Sequence, residues 1–97
     1  MLITHIKPSP RKNKRYRAFM DDGSYIDFGL KGGSTYLDRK DKNKRDNYWA
    51  RHLGNKREKY LIGNFIPSPA LFSAVLLWGE STSLKKNLEI LNELLQD

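Results

Sequence analysis

The chain has 97 residues, 38% hydrophobic and 30% charged, with 18 Lys and Arg against 11 Asp and Glu for a net charge of +7. A mass of 11.3 kDa and a mean hydropathy of −0.72 leave room for one small core, hiding roughly 60–65% of the unfolded surface, and exclude a two-domain enzyme or a large buried cofactor. The absence of cysteine excludes disulfides, thiolate metal sites and a cysteine nucleophile, and no apolar run approaches the ~20 residues of a membrane span.

Residues 1–15 read as a basic N-terminal arm. Leu2, Thr4 and Ile6 alternate like a short edge strand, and the opening residues lack the basic-then-apolar order of a secretory signal. Pro8 and Pro10 hold the chain extended ahead of Arg11, Lys12, Lys14 and Arg15.

Residues 16–97 read as a single small domain. Two runs rich in β-formers, 16–20 and 25–28, flank Asp21-Asp22-Gly23-Ser24, a hairpin signal. A two-residue loop would set Arg17 opposite Phe28. A three-residue loop with Gly23 left-handed sets Tyr16 opposite Phe28, Ala18 opposite Ile26 and Met20 opposite Ser24. On the other face it sets Arg17 opposite Asp27 and Phe19 opposite Tyr25. The second register separates apolar from charged side chains and is the one predicted.

The glycines at 29, 32 and 33 predict a loop, with a turn of helix near Tyr36. A helix is predicted over 41–53, capped by Asp41 and ended by Gly54, with Arg45, Tyr48, Trp49, His52 and Leu53 on one stripe. Residues 55–66 are predicted as loop, with Tyr60, Leu61, Ile62 and Phe65 packing somewhere on the rest of the chain. Ser68-Pro69 opens a helix that is apolar nearly all round, with Trp78 buried and Gly79 as its stop. Ser83 caps a last helix to Gln96 whose seam is Leu84, Leu88, Leu91 and Leu95. The fold class is therefore α+β: a small N-terminal β-hairpin, which residues 2–6 can extend, packed on about three α-helices.

The catalytic inventory is poor. His5 and His52 lie far apart and form no metal-ligand spacing. Asp21 and Asp22 are turn formers, and Asp27 has Arg17 as its expected partner. The segment Gly29-x-Lys31-Gly32-Gly33 lacks the Walker pattern, so a sharp turn explains its glycines better than a phosphate cradle. No catalytic, metal or cofactor residue is assigned, no small-molecule substrate is implied, and the chain reads as a protein that is not an enzyme.

The charge is unevenly spread. Residues 1–60 hold 16 basic and 7 acidic side chains, whereas residues 61–97 hold 2 and 4. A basic front seeks phosphate or an acidic protein surface. The candidate polyanion- or partner-binding residues are Arg11, Lys12, Lys14, Arg15, Lys31, Lys40, Lys42, Lys44, Arg45, Arg51, Lys56, Arg57 and Lys59. Tyr36, Tyr48, Trp49 and Tyr60 interleave with them. Cations beside aromatics suit single-stranded nucleic acid, and cations alone suit a duplex backbone. The same pattern also describes a solvated face over core aromatics. No helix-turn-helix, zinc-finger, RNP or KH pattern supports base-specific reading.

Several segments recur in one order: Phe28-Gly29, Tyr48-Trp49-Ala50-Arg51-His52, Ser68-Pro69-Ala70-Leu71-Phe72-Ser73, Leu76-Leu77-Trp78-Gly79 and Ser83-Leu84. This order resembles a family of small basic proteins encoded by large double-stranded DNA viruses of eukaryotes, in iridovirus-, marseillevirus- and phycodnavirus-like genomes. The resemblance spans residues 14–85 and departs at both ends, where the arm and the last helix are longer. It brings no established chemistry. It implies a viral product made in the cytoplasm or nucleus of an infected host cell and packed in the virion. With the missing catalytic set, the expected function is a non-enzymatic viral structural protein, a small minor capsid or virion-associated component bridging larger capsid proteins. The alternative is a sequence-nonspecific protein that binds a DNA or RNA backbone and condenses the genome.

Overall fold

The computed structural model describes residues 2–96; Met1 and Asp97, the outer ends of the expected arm and domain, lie outside them. Three strands, β1 (Ile3–Pro8), β2 (Lys14–Met20) and β3 (Tyr25–Leu30), form an antiparallel sheet in the order β1-β2-β3. Helical segments follow: α1 (Tyr36–Arg39), α2 (Lys42–Leu53), α3 (Lys56–Gly63), α4 (Pro69–Phe72) and α5 (Leu84–Leu95). The architecture is α+β, as the sequence implies, with the hairpin extended by β1.

The β2–β3 register is the three-residue one. Tyr16 pairs with Phe28, Arg17 with Asp27, Ala18 with Ile26 and Phe19 with Tyr25. Gly23 has φ +90° with open space around it, the left-handed conformation that this loop demands. One face of the sheet carries Ile3, Ala18, Met20 and Phe28, all buried, with Ile6, Tyr16 and Ile26 beside them. Phe28 meets Phe72 of α4 edge-on at 5.9 Å, and this contact joins the sheet to the helical layer.

The opposite face is closed by charge. Arg17 donates to both Asp27 carboxylate oxygens, at 2.8 and 3.1 Å, and the Ser9 hydroxyl donates to Asp27 Oδ1 at 3.1 Å. The expected arm is therefore part of the sheet. Its β1 end is held by α5: Ile3 donates its N–H to Asn92 Oδ1 at 2.9 Å, and Asn92 Nδ2 donates back to the Ile3 carbonyl at 3.0 Å. The amide side chain thus stands in for a neighbouring strand and covers part of an exposed sheet edge.

Two elements differ from the sequence reading. Residues 56–63 are helical, not loop: Asn55 caps α3 by accepting from Arg57 N–H and Glu58 N–H. Ile62 is buried, whereas Tyr60 and Phe65 are 62% and 43% exposed. The expected helix over 69–78 is α4 followed by a π-helical stretch at Ser73–Leu77, in which Trp78 N–H reaches the Ser73 carbonyl at 3.2 Å. Widening the helix this way frees carbonyls at its end.

Side chains satisfy those carbonyls. Asn87 Nδ2 donates to the Leu76 and Ser81 carbonyls at 3.0 and 2.8 Å, and its Oδ1 accepts from Ser81 N–H at 3.0 Å. Trp49 Nε1 donates to the Trp78 carbonyl at 2.7 Å, and Arg45 Nε to the Gly79 carbonyl at 2.8 Å. Gly79 admits no side chain, because a Cβ would overlap the Val75 carbonyl oxygen and crowd Asn87. One polar clamp, buried at Asn87, therefore locks α2, the π-helical stretch and α5 together.

Candidate partner-binding groove

A groove of about 1210 Å³ runs between the sheet's loop end and the helical layer. Arg11, Asn13 and Lys14 line it from the sheet's loop end, Arg51, His52, Asn55 and Arg57 from the α2–α3 region, and Tyr48, Leu77 and Trp78 add apolar and aromatic surface. The motifs of the sequence resemblance meet here: Gly29, Arg51, His52, Ser68, Pro69, Ala70 and Trp78 all line it.

Tyr48 is the centre of an aromatic column. Its ring stacks on Trp78 at 4.6 Å and 8°, and His52 packs against it at 4.1 Å. Trp78 is half-buried rather than buried, because it forms groove surface as well as core. Burial, with the Glu58 carboxylate nearby, pushes the Tyr48 phenol above its usual range, so it stays protonated. His52 Nδ1 lies 2.9 Å from Glu58 Oε1. Its bonded partners are Glu58 and Arg51, with no groove hydroxyl among them. The pair therefore fixes both side chains on the groove wall.

The candidate cations divide into three groups. Arg11, Lys14, Arg51 and Arg57 line the groove, where, among the described residues, the only lining carboxylate is Glu58. Arg11 approaches Asp27 only to 4.0 Å and its side chain is 63% exposed, so it remains available. Lys12, Lys31, Lys40, Lys42, Lys44, Lys56 and Lys59 are exposed but do not line it. Arg15 and Arg45 have structural bonds. Arg15 makes a two-pronged pair with Asp38, both bonds 2.7 Å, while Asp38 also accepts from the Thr35 N–H and hydroxyl that cap α1. The Arg15 hydrogen bonds, helped by Thr35, hold Asp38 well below the usual carboxylate range.

The loop after β3 is a turn. Gly33 N–H bonds the Leu30 carbonyl and Lys31 N–H the Asn13 carbonyl, so both are engaged within the fold. Among the described residues, no group of three or more His, Asp or Glu side chains is placed to hold a metal ion, and no helix is long and apolar enough to cross a membrane. Sequence reasoning missed the Asn55 cap, which fixes Arg57 and Glu58 on the groove wall. The signal was present, since Asn followed three residues later by Glu marks a helix start.

A family of unknown function (DUF5754) matches residues 4–52, just over half of the chain. That stretch runs from β1 to the last turn of α2 and includes Arg11, Lys14, Tyr48, Arg51 and His52 of the groove. No curated protein matches the chain, and no solved structure does.

Proposed function

The chain belongs to this family of unknown function, and we propose that it is a non-enzymatic viral structural protein, a minor capsid or virion-associated component that bridges larger capsid proteins and holds an acidic partner surface in its basic groove. The observation that carries this reading is the groove's inventory. Four cations line it against one carboxylate, which is already engaged by His52. Such a surface attracts anionic partners and speeds their association. The virion setting rests on the sequence resemblance.

A second reading, sequence-nonspecific binding of a nucleic-acid backbone, is favoured by one feature: the Tyr48–Trp78 stack lies among those cations, the combination on which unpaired bases stack. The test measures capsid-protein and DNA affinities side by side at ~150 mM salt, where exposed charges are screened beyond ~8 Å. The structural reading expects capsid affinity to survive and DNA affinity to fade, because counterion release weakens steeply with salt. Tight DNA binding at that salt without capsid affinity would promote the second reading.

A further inference from the structure

A second concavity, of about 550 Å³, lies between α2, α3, the π-helical stretch and α5 and shares no lining residue with the groove. Trp49, Ile62, Val75, Ile90 and Leu94 give it apolar walls. Its polar interior needs no ligand, because Asn87 and Arg45 are engaged with backbone groups.

Phe65, on the rim of this cleft, sits in a costly conformation. It follows α3 with φ +52°. Phe65 N–H bonds the Ile62 carbonyl at 3.2 Å and Ile66 N–H the Leu61 carbonyl at 3.0 Å. This is the Schellman pattern, whose left-handed position glycine normally fills because a side chain there is strained. Gly63 and Asn64 stand immediately before it, yet the left-handed residue is a phenylalanine that remains 43% exposed. Core packing does not offset such strain, and strain of this kind concentrates where a ligand is gripped.

The electrostatics name the partner. Asp46 and Glu80 are exposed at the cleft and outnumber Arg45 there, in a chain whose net charge is +7. We propose that this cleft receives one large apolar side chain of a protein segment flanked by lysines or arginines, with Phe65 and Leu94 closing over it. The charge of the cleft is opposite to that of the groove, so the two surfaces select different partners. The inference stands whether or not the groove holds an anion.

The two tryptophans report separately. In a Trp78→Phe variant Trp49 is the single indole, and the Trp78 backbone carbonyl that it bonds is retained. The probe is a short amphipathic leucine–lysine peptide, with its leucine–glutamate twin as control. The proposal expects a saturable change in Trp49 emission with the first peptide and binding at least about tenfold weaker with the second. Leu94→Asp and Phe65→Asn should each weaken the first peptide by about tenfold or more. Asparagine tolerates the left-handed region, so Phe65→Asn should also leave the thermal midpoint unchanged or raise it. An unresponsive Trp49, equal binding of the twin, variants that bind as tightly as the parent, or a fall in the Phe65→Asn midpoint would each overturn the proposal. Concentration-dependent self-association that blocks the peptide would overturn it too, by assigning the cleft to a second copy of the chain.

Discussion

The sheet and the helical layer are fastened by different chemistry. The outer face of the sheet and its junction with α1 use ion pairs, Arg17 with Asp27 and Arg15 with Asp38, beside the Asn92 amide that holds the β1 edge. The helical layer relies on neutral side chains, Asn87 and Trp49, and one arginine, all bonded to backbone carbonyls. The contrast teaches where this small basic protein can keep cations for a partner. Arginines on the sheet and at the front of α2 complete the fold, so the groove draws on Arg11, Lys14, Arg51 and Arg57, of which, among the described residues, only Arg11 forms an ion pair, a long one of 4.0 Å to Asp27.

Removing the neutral clamp should produce the largest loss. Asn87→Ala strips three hydrogen bonds from a fully buried position, and each backbone group left unpaired costs about 1–3 kcal/mol. Chemical denaturation should show a loss of about 3 kcal/mol or more, and the loss should be the same at pH 7 and in acid. A smaller effect follows in the sheet. Gly23→Val forces a β-branched residue to φ +90° and should cost about 1–2 kcal/mol, read as a shift in the same denaturation midpoint.

The fold's acid response sharpens the contrast further. Hydrogen bonds from Arg17 to Asp27 and from Arg15 to Asp38 lower both carboxyl pKa values. Because the folded values lie below the unfolded ones, their stabilisation is complete above about pH 4. It is lost as the pH falls through the folded values. A pH series of denaturation midpoints should fall below pH ~4 in the parent, and Asp38→Asn, whose starting stability is lower, should fall less steeply. Parallel curves for the two proteins would remove Asp38 from this account.

What was legible in the sequence follows from how local the signal is. The hairpin register was readable because one choice alone matched Arg17 to Asp27 and Ala18 to Ile26. The Asp41, Ser68 and Ser83 caps were readable because an N-cap is decided within three residues. The helix α3 was hidden by its composition: among Lys56–Gly63 only Ile62 is buried, and a basic cluster reads as loop. The π-helical stretch and the asparagine clamps were not legible at all. The clamps join groups 6 to 89 residues apart, and an asparagine in a leucine seam carries no local mark of its partner. For the same reason the thirteen candidate cations could be named but not sorted. Which of them line a groove is decided by tertiary placement.

The claim that the groove, rather than the total charge, is the binding surface can be tested with two double variants of equal net charge. Arg51→Glu with Arg57→Glu reverses two groove cations, and Lys42→Glu with Lys44→Glu reverses two exposed cations that do not line the groove. All four positions are exposed, so folding stability should change by no more than about 0.5 kcal/mol per substitution. The measurement is the affinity of each variant for a duplex DNA fragment, used as a polyanion, across a salt series. The account predicts that the groove variant loses at least about tenfold in affinity and flattens the dependence on salt by about two contacts, while the lysine variant loses less than about threefold. Equal losses in the two variants would contradict it and leave net charge alone as the cause.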